Sequence, residues 1–95
     1  MTNVRIPQIH DLKSAIRLYY GRTELSSADI RELFGELSTA TISRLKRRAR
    51  EQMVADNVPA WNAQNVNTAS AFTAWGLNIS DLENRYAKLR ELNLS

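Results

Sequence analysis

Apolar residues recur at helical spacing in five stretches of the chain, and no stretch alternates strictly enough to read as a strand. Ile9, Leu12, Ile16 and Tyr19 form one stripe and predict a first helix over 8–20, with Pro7 suited to its entry and Gly21 to its exit. Leu18 falls off that stripe, as an ordinary outward leucine or as the mark of a second side covered by the C-terminal half. Ile30, Leu33 and Phe34 predict a helix over 27–34. Ser26 is its N-cap, Asp29 stands near the positive helix end, and Leu25 and Ile30 have the spacing of a hydrophobic staple. Gly35 suits a left-handed stop.

After a short turn, Ile42, Leu45, Ala49 and Met53 give the inward stripe of a third helix over 38–57. Ser38 is its N-cap, Leu37 and Ile42 repeat the staple spacing, Asn57 is the terminator, and Pro59 sets the outer limit. Residues 58–67, VPAWNAQNVN, show no period and read as a surface loop pinned by Trp61; Asn62, Asn65 and Asn67 are turn formers. A short fourth helix over 68–75 would bury Phe72 and Trp75 ahead of Gly76. A fifth, over 81–92, would start at the capping box Ser80-Asp81-Leu82-Glu83 and bury Leu82, Tyr86, Leu89 and Leu92. The expected class is all-α: a three-helix core with two additional C-terminal helices. The loop is too short and too rich in Asn to form the hairpin of a wing.

Composition narrows the class. Ninety-five residues suit one domain with one modest core. The chain has no Cys, which removes disulfide scaffolds, zinc fingers and thiol chemistry and fits a cytoplasmic protein. The first seven residues hold no long apolar run, so no signal peptide is read there, and no segment approaches the roughly 20 apolar residues a membrane span needs. The net charge of +3 is mild, but it is unevenly placed. Residues 1–50 carry ten Lys and Arg against five Asp and Glu, whereas residues 51–95 carry three against five. A basic first half points to a polyanionic partner, and the second half to another task.

The basic excess concentrates on the third helix, where five of the seven residues in 44–50 are Lys or Arg. Opposite the apolar stripe lie Ala40, Arg44 and Arg47, flanked by Thr39, Thr41, Ser43 and Arg48. Small and hydroxyl-bearing residues near the helix start permit close approach to a groove floor, and their hydroxyls can bond base edges or phosphates. Arg44 and Arg47 lie one turn apart and can each read a guanine edge bidentately, at about 1–3 kcal/mol of discrimination. Thr39 and Ser43 join them as base-reading candidates. Lys46, Arg48 and Arg50 suit phosphates, as do the free backbone N–H groups behind Ser38. A charge run on a helix is more often a mere solvated face; the glycine turn before it, the apolar stripe behind it and its Ser/Thr/Ala start favour DNA.

The segment SSADIRELFGELSTATISRLKRRAREQ (26–52) resembles the helix-turn-helix superfamily of DNA-binding proteins. The resemblance rests on Ile30, the Phe34-Gly35 pair, Leu37, Ile42 and Leu45, and covers about a quarter of the chain. Glu36 departs from the pattern by lengthening the turn. The resemblance implies a domain whose part 8–57 binds double-stranded DNA through the third helix, as a small transcriptional regulator or mobile-element accessory protein of prokaryotic or phage type. Residues 58–95 would then complete the core or form a homodimer face, dimers being common in proteins that bind half-sites about 34 Å apart. The alternative is a helical protein–protein adaptor that uses the aromatic C-terminal half. RNA binding is weaker, because the deep narrow groove of duplex RNA does not admit a helix. No catalytic constellation, cofactor motif or metal-ligand cluster is read: His10 is the only histidine and is expected at a helix end, and the carboxylates are scattered.

Overall fold

The computed structural model describes residues 8–60 and 62–94. In chain order they form α1 (Leu12–Gly21), β1 (Glu24–Leu25), α2 (Ser27–Phe34), α3 (Thr39–Ala55), β2 (Val66–Asn67), α4 (Thr68–Ala74) and α5 (Ile79–Leu94). Both Pro7 and Trp61, expected at the entry to the first helix and in the loop, lie outside the described residues.

The first helix starts later than its apolar stripe suggests. Asp11 is extended (φ −152°, ψ 124°) and its carboxylate accepts from the Ser14 backbone N–H. Before it, the His10 N–H donates to the Leu33 carbonyl at 2.8 Å, which holds the chain against the end of α2 and out of the helix. The stripe is also rotated from the expected one. Ala15 and Leu18 are the buried residues of α1, while Ile9, Leu12, Ile16 and Tyr19 pack at its edges. Leu18 is inward, in the common core, while Ile16 and Tyr20 on the other side of α1 face α5.

Second and third helices begin where their caps place them. At α2 the Asp29 N–H donates to Ser26 Oγ and the Ser26 N–H to Asp29 Oδ2, a reciprocal capping box. At α3 the Thr41 N–H donates to Ser38 Oγ. Gly35 ends α2, but at φ 90°, ψ −168° it is not the left-handed stop expected. That region is essentially open to glycine alone. The His10 ring lies 3.7 Å from where a Cβ would stand on Gly35, so the turn is covered as well as strained. Asn57 ends α3 at φ 58°, with Val58 N–H donating to Met53 O and Asn57 N–H to Val54 O, the paired bonds of a Schellman stop. Gly76 closes α4 by the same pattern, through Leu77 to Phe72 and Gly76 to Thr73.

Two departures concern the second half. Residues 66–67 are a short strand, not loop: β2 pairs antiparallel with β1, Glu24 opposite Asn67 and Leu25 opposite Val66, and the Thr68 N–H donates to Thr23 O. Two-residue strands carry no readable period, which is why the pattern missed them. Leu25 and Val66 are both fully buried, so this small ribbon belongs to the core. The fifth helix starts at Ile79, where Asn78 accepts from the Asp81 N–H; the expected box at Ser80 lies inside the helix.

One buried cluster runs from Ala15 to Leu82 and draws on every helix. The C-terminal helices contribute Ala71, Phe72 and Leu82 to it, with Trp75 at the end of α4. Helix α3 packs most extensively on α4, then on β2, while α1 packs on α5 and α2. Phe72 and Trp75 are buried as expected, and the Trp75 indole N–H donates to the Leu45 carbonyl at 2.9 Å inside the core. A buried indole without that acceptor would cost about 1–3 kcal/mol, so this bond fixes α4 against the middle of α3. No helix among the described residues is long and apolar enough to cross a membrane.

Candidate nucleic-acid interface

Because α3 buries Ile42, Leu45, Ala49 and Met53 along its length, its opposite face is displayed at a fixed angle. Thr39, Ala40, Ser43, Arg44 and Arg47 are exposed there. The other expected contact residues divide by what holds them. Ser38 and Thr41 are engaged in the helix start: their hydroxyls lie 2.9 Å apart, in addition to the backbone cap. Arg48 is half-buried and turned toward α4, where it lines a cleft with Gln52 and Ala74. Lys46 and Arg50 reach sideways to the segment 62–65. The Lys46 ammonium donates to Gln64 O at 2.7 Å and the Arg50 guanidinium to Ala63 O at 2.6 Å.

None of these five cations is neutralised. Among the described residues the ion pairs are Arg17–Glu32 and Arg22–Asp29, both away from α3. Carbonyl partners leave the charge on Lys46 and Arg50 intact. The Lys46 ammonium is held below the ordinary lysine value, chiefly by partial burial and then by the positive charges of Arg50 and Arg31. Arg31, on α2, thus adds to the same positive field, a contribution that the helical pattern of α3 alone could not reveal.

Between α3 and the segment 62–65 runs an open groove of about 470 Å³, walled by Ser43, Lys46, Arg47 and Arg50 on one side and Gln64 on the other. Glu51 and Val54 close its far end. The aperiodic pattern of 58–67 predicts a surface loop and does not place it beside α3. Its place beside the basic face depends on β2 and the two cation-to-carbonyl bonds, and neither has a local signature. His10, expected at a helix end, sits just ahead of α1 against the Gly35 turn. Comparison with family models, curated protein sequences and solved structures gave no match for this chain.

Proposed function

We propose that this chain binds double-stranded DNA sequence-specifically, with α2, the Gly35 turn and α3 acting as a helix-turn-helix unit in a small regulator or mobile-element accessory protein. The observation that carries the reading is the row of cations on α3, unpaired with any carboxylate among the described residues and set on a helix whose other face is locked into the core. Such a surface has an unfavourable self-energy that a polyanion relieves, and duplex DNA offers a negative charge about every 1.7 Å of its axis. Thr39, Ser43, Arg44 and Arg47 are the exposed side chains available for base edges. Selection from a random duplex library, followed by anisotropy titrations at several salt concentrations, tests it. Binding should weaken steeply with salt and fall with the double change Arg44→Ala, Arg47→Ala. No bound duplex at low salt, or an unaffected double variant, refutes the reading.

The adaptor alternative has one observation in its favour. An open apolar groove between α1 and α5 is lined by Ile16, Tyr20, Gly21 and Tyr86. Phe72 and Trp75 are buried and are not available to a partner. A protein captured through this groove would be lost with Tyr86→Ala and retained after nuclease treatment.

A further inference from the structure

Two of the cations on α3 hold a loop in place, and the loop they hold is chemically suited to the partner proposed for the helix. The segment 62–65 is fixed from within by a tight turn: the Gln64 N–H donates to Asn62 Oδ1 at 2.7 Å and the Asn65 N–H to Asn62 O. Its downstream end runs directly into β2, whose Val66 is fully buried. Its middle is tied to α3 by Lys46 and Arg50. Asn62, Ala63 and Gln64 are exposed, and no residue of 58–67 carries a charge, so nothing in the loop repels a phosphate.

The geometry points to a second DNA-contacting element: we propose that the segment 62–65, positioned by Lys46 and Arg50, forms with α3 a groove that receives one sugar–phosphate strand of the duplex. This rests on the DNA-binding reading of α3 and extends it. A helix that enters a DNA groove is bounded on each side by a phosphate ridge, so a concavity beside the helix must take up that ridge. Here the concavity presents Ser43, Arg47 and Gln64, together with the donors that Lys46 and Arg50 do not spend on the loop. An ammonium has three N–H donors and a guanidinium five, and one hydrogen bond to the loop is made by each. Glu51 at the far end disfavours an anion there and biases the strand toward the Ser43–Arg50 end. Lys46 and Arg50 are therefore positioning residues for the loop as well as charges.

The test uses the full chain and a duplex selected with it. Ala63→Lys adds a cation to the exposed loop, and Gln64→Glu adds an anion to the groove wall. Ala87→Lys and Ala87→Glu place the same charges on the exposed surface of α5. Ala63→Lys should tighten binding and steepen the slope of log K against log salt by about one; Gln64→Glu should weaken binding about tenfold and flatten the slope by about one. The Ala87 pair should change affinity less than about twofold. Hydroxyl-radical footprinting should show a protected backbone stretch beside the one covered by α3, lost in Arg50→Ala and restored in Arg50→Lys. If the wild type binds and the Arg44, Arg47 double change abolishes binding, yet the loop variants behave like the Ala87 pair, the loop proposal is overturned and the role of α3 stands. If the wild type binds no duplex, both fall.

Discussion

The two longest helices, α3 with 17 residues and α5 with 16, are used in opposite ways. Helix α3 buries its whole apolar stripe, and its outer face carries cations without carboxylate partners among the described residues. Among the described side chains of α5, only Leu82 is buried. Tyr86 is half-buried, and Leu89 and Leu92 are 46% and 70% exposed, so the helix leaves the core within two turns. Its charges are of both signs, and two are occupied locally: Glu83 accepts from the Tyr20 hydroxyl and the Arg90 guanidinium lies over the Tyr86 ring. A stripe of leucines at helical spacing thus says that a helix forms, but not that it is buried. Depth is set by what packs opposite, and α4 lies along α3 whereas nothing described lies along the outer half of α5.

That contrast is most sharply broken by deleting one leucine from each stripe. Leu45 is fully buried, and its carbonyl accepts from the Trp75 indole, so Leu45→Ala should cost about 2–5 kcal/mol in urea unfolding. Leu89→Ala should stay within about 0.5 kcal/mol. Equal losses would mean that α5 is buried in solution, against an unseen partner or a second copy. The charges offer the next comparison. Arg44→Ala with Arg47→Ala should lower affinity for a selected duplex about 100-fold, corresponding to about 2.7 kcal/mol for the pair. Arg85→Ala with Lys88→Ala, which removes the same charge from α5, should cost less than about threefold. Similar losses would show that net charge alone drives association.

Gly35 sets where α3 begins, and Gly21 ends α1 with open space around it. Gly35→Ala places a side chain in a backbone region that only glycine tolerates and should cost about 1–3 kcal/mol. It should also weaken DNA binding by more than stability alone accounts for, because it tilts α3. Gly21→Ala meets no atom within 4 Å and should be neutral to stabilising by up to about 1 kcal/mol. If the two alanines behave alike, the Gly35 geometry is not required for the fold.

Caps and core stripes were legible in the sequence because each is local. Ser26 with Asp29, Ser38 ahead of the Ile42 stripe, and Asn57 before Pro59 are short spacings governed by backbone hydrogen bonding. What the sequence hid depends on residues far apart. Leu18 is inward because the core around α1 is completed by elements far along the chain. Leu25 and Val66 pair only because the chain crosses between them. For α5, Asn78 caps the helix two residues ahead of Ser80, where the box was expected. For the candidate interface, the exposed Arg44 and Arg47 follow from the period of α3. The sideways reach of Lys46 and Arg50 does not, because their partners are backbone carbonyls of a loop without a pattern.

The smallest expected effect tests how α5 is held where it does touch the core. The Tyr20 hydroxyl donates to the Glu83 carboxylate, linking α1 to the second turn of α5. That bond raises the phenol pKa above its ordinary value of 10.0, with desolvation and the Glu83 charge adding in the same direction. A raised pKa means that the neutral phenol is favoured in the folded chain. The bond's contribution is fully present below the ordinary value and is lost as pH rises through the raised one. Alkaline titration of the phenolate absorbance should therefore show one tyrosine ionising late in the native protein, and Tyr20→Phe should remove that transition. Amide exchange in α5 should quicken above this pH in the native chain and be faster from neutral pH in the variant, while α3 stays protected in both. A variant whose α5 exchanges as slowly as the native helix would show that Leu82 and Tyr86 alone hold the helix, and that the Tyr20–Glu83 bond is incidental to it.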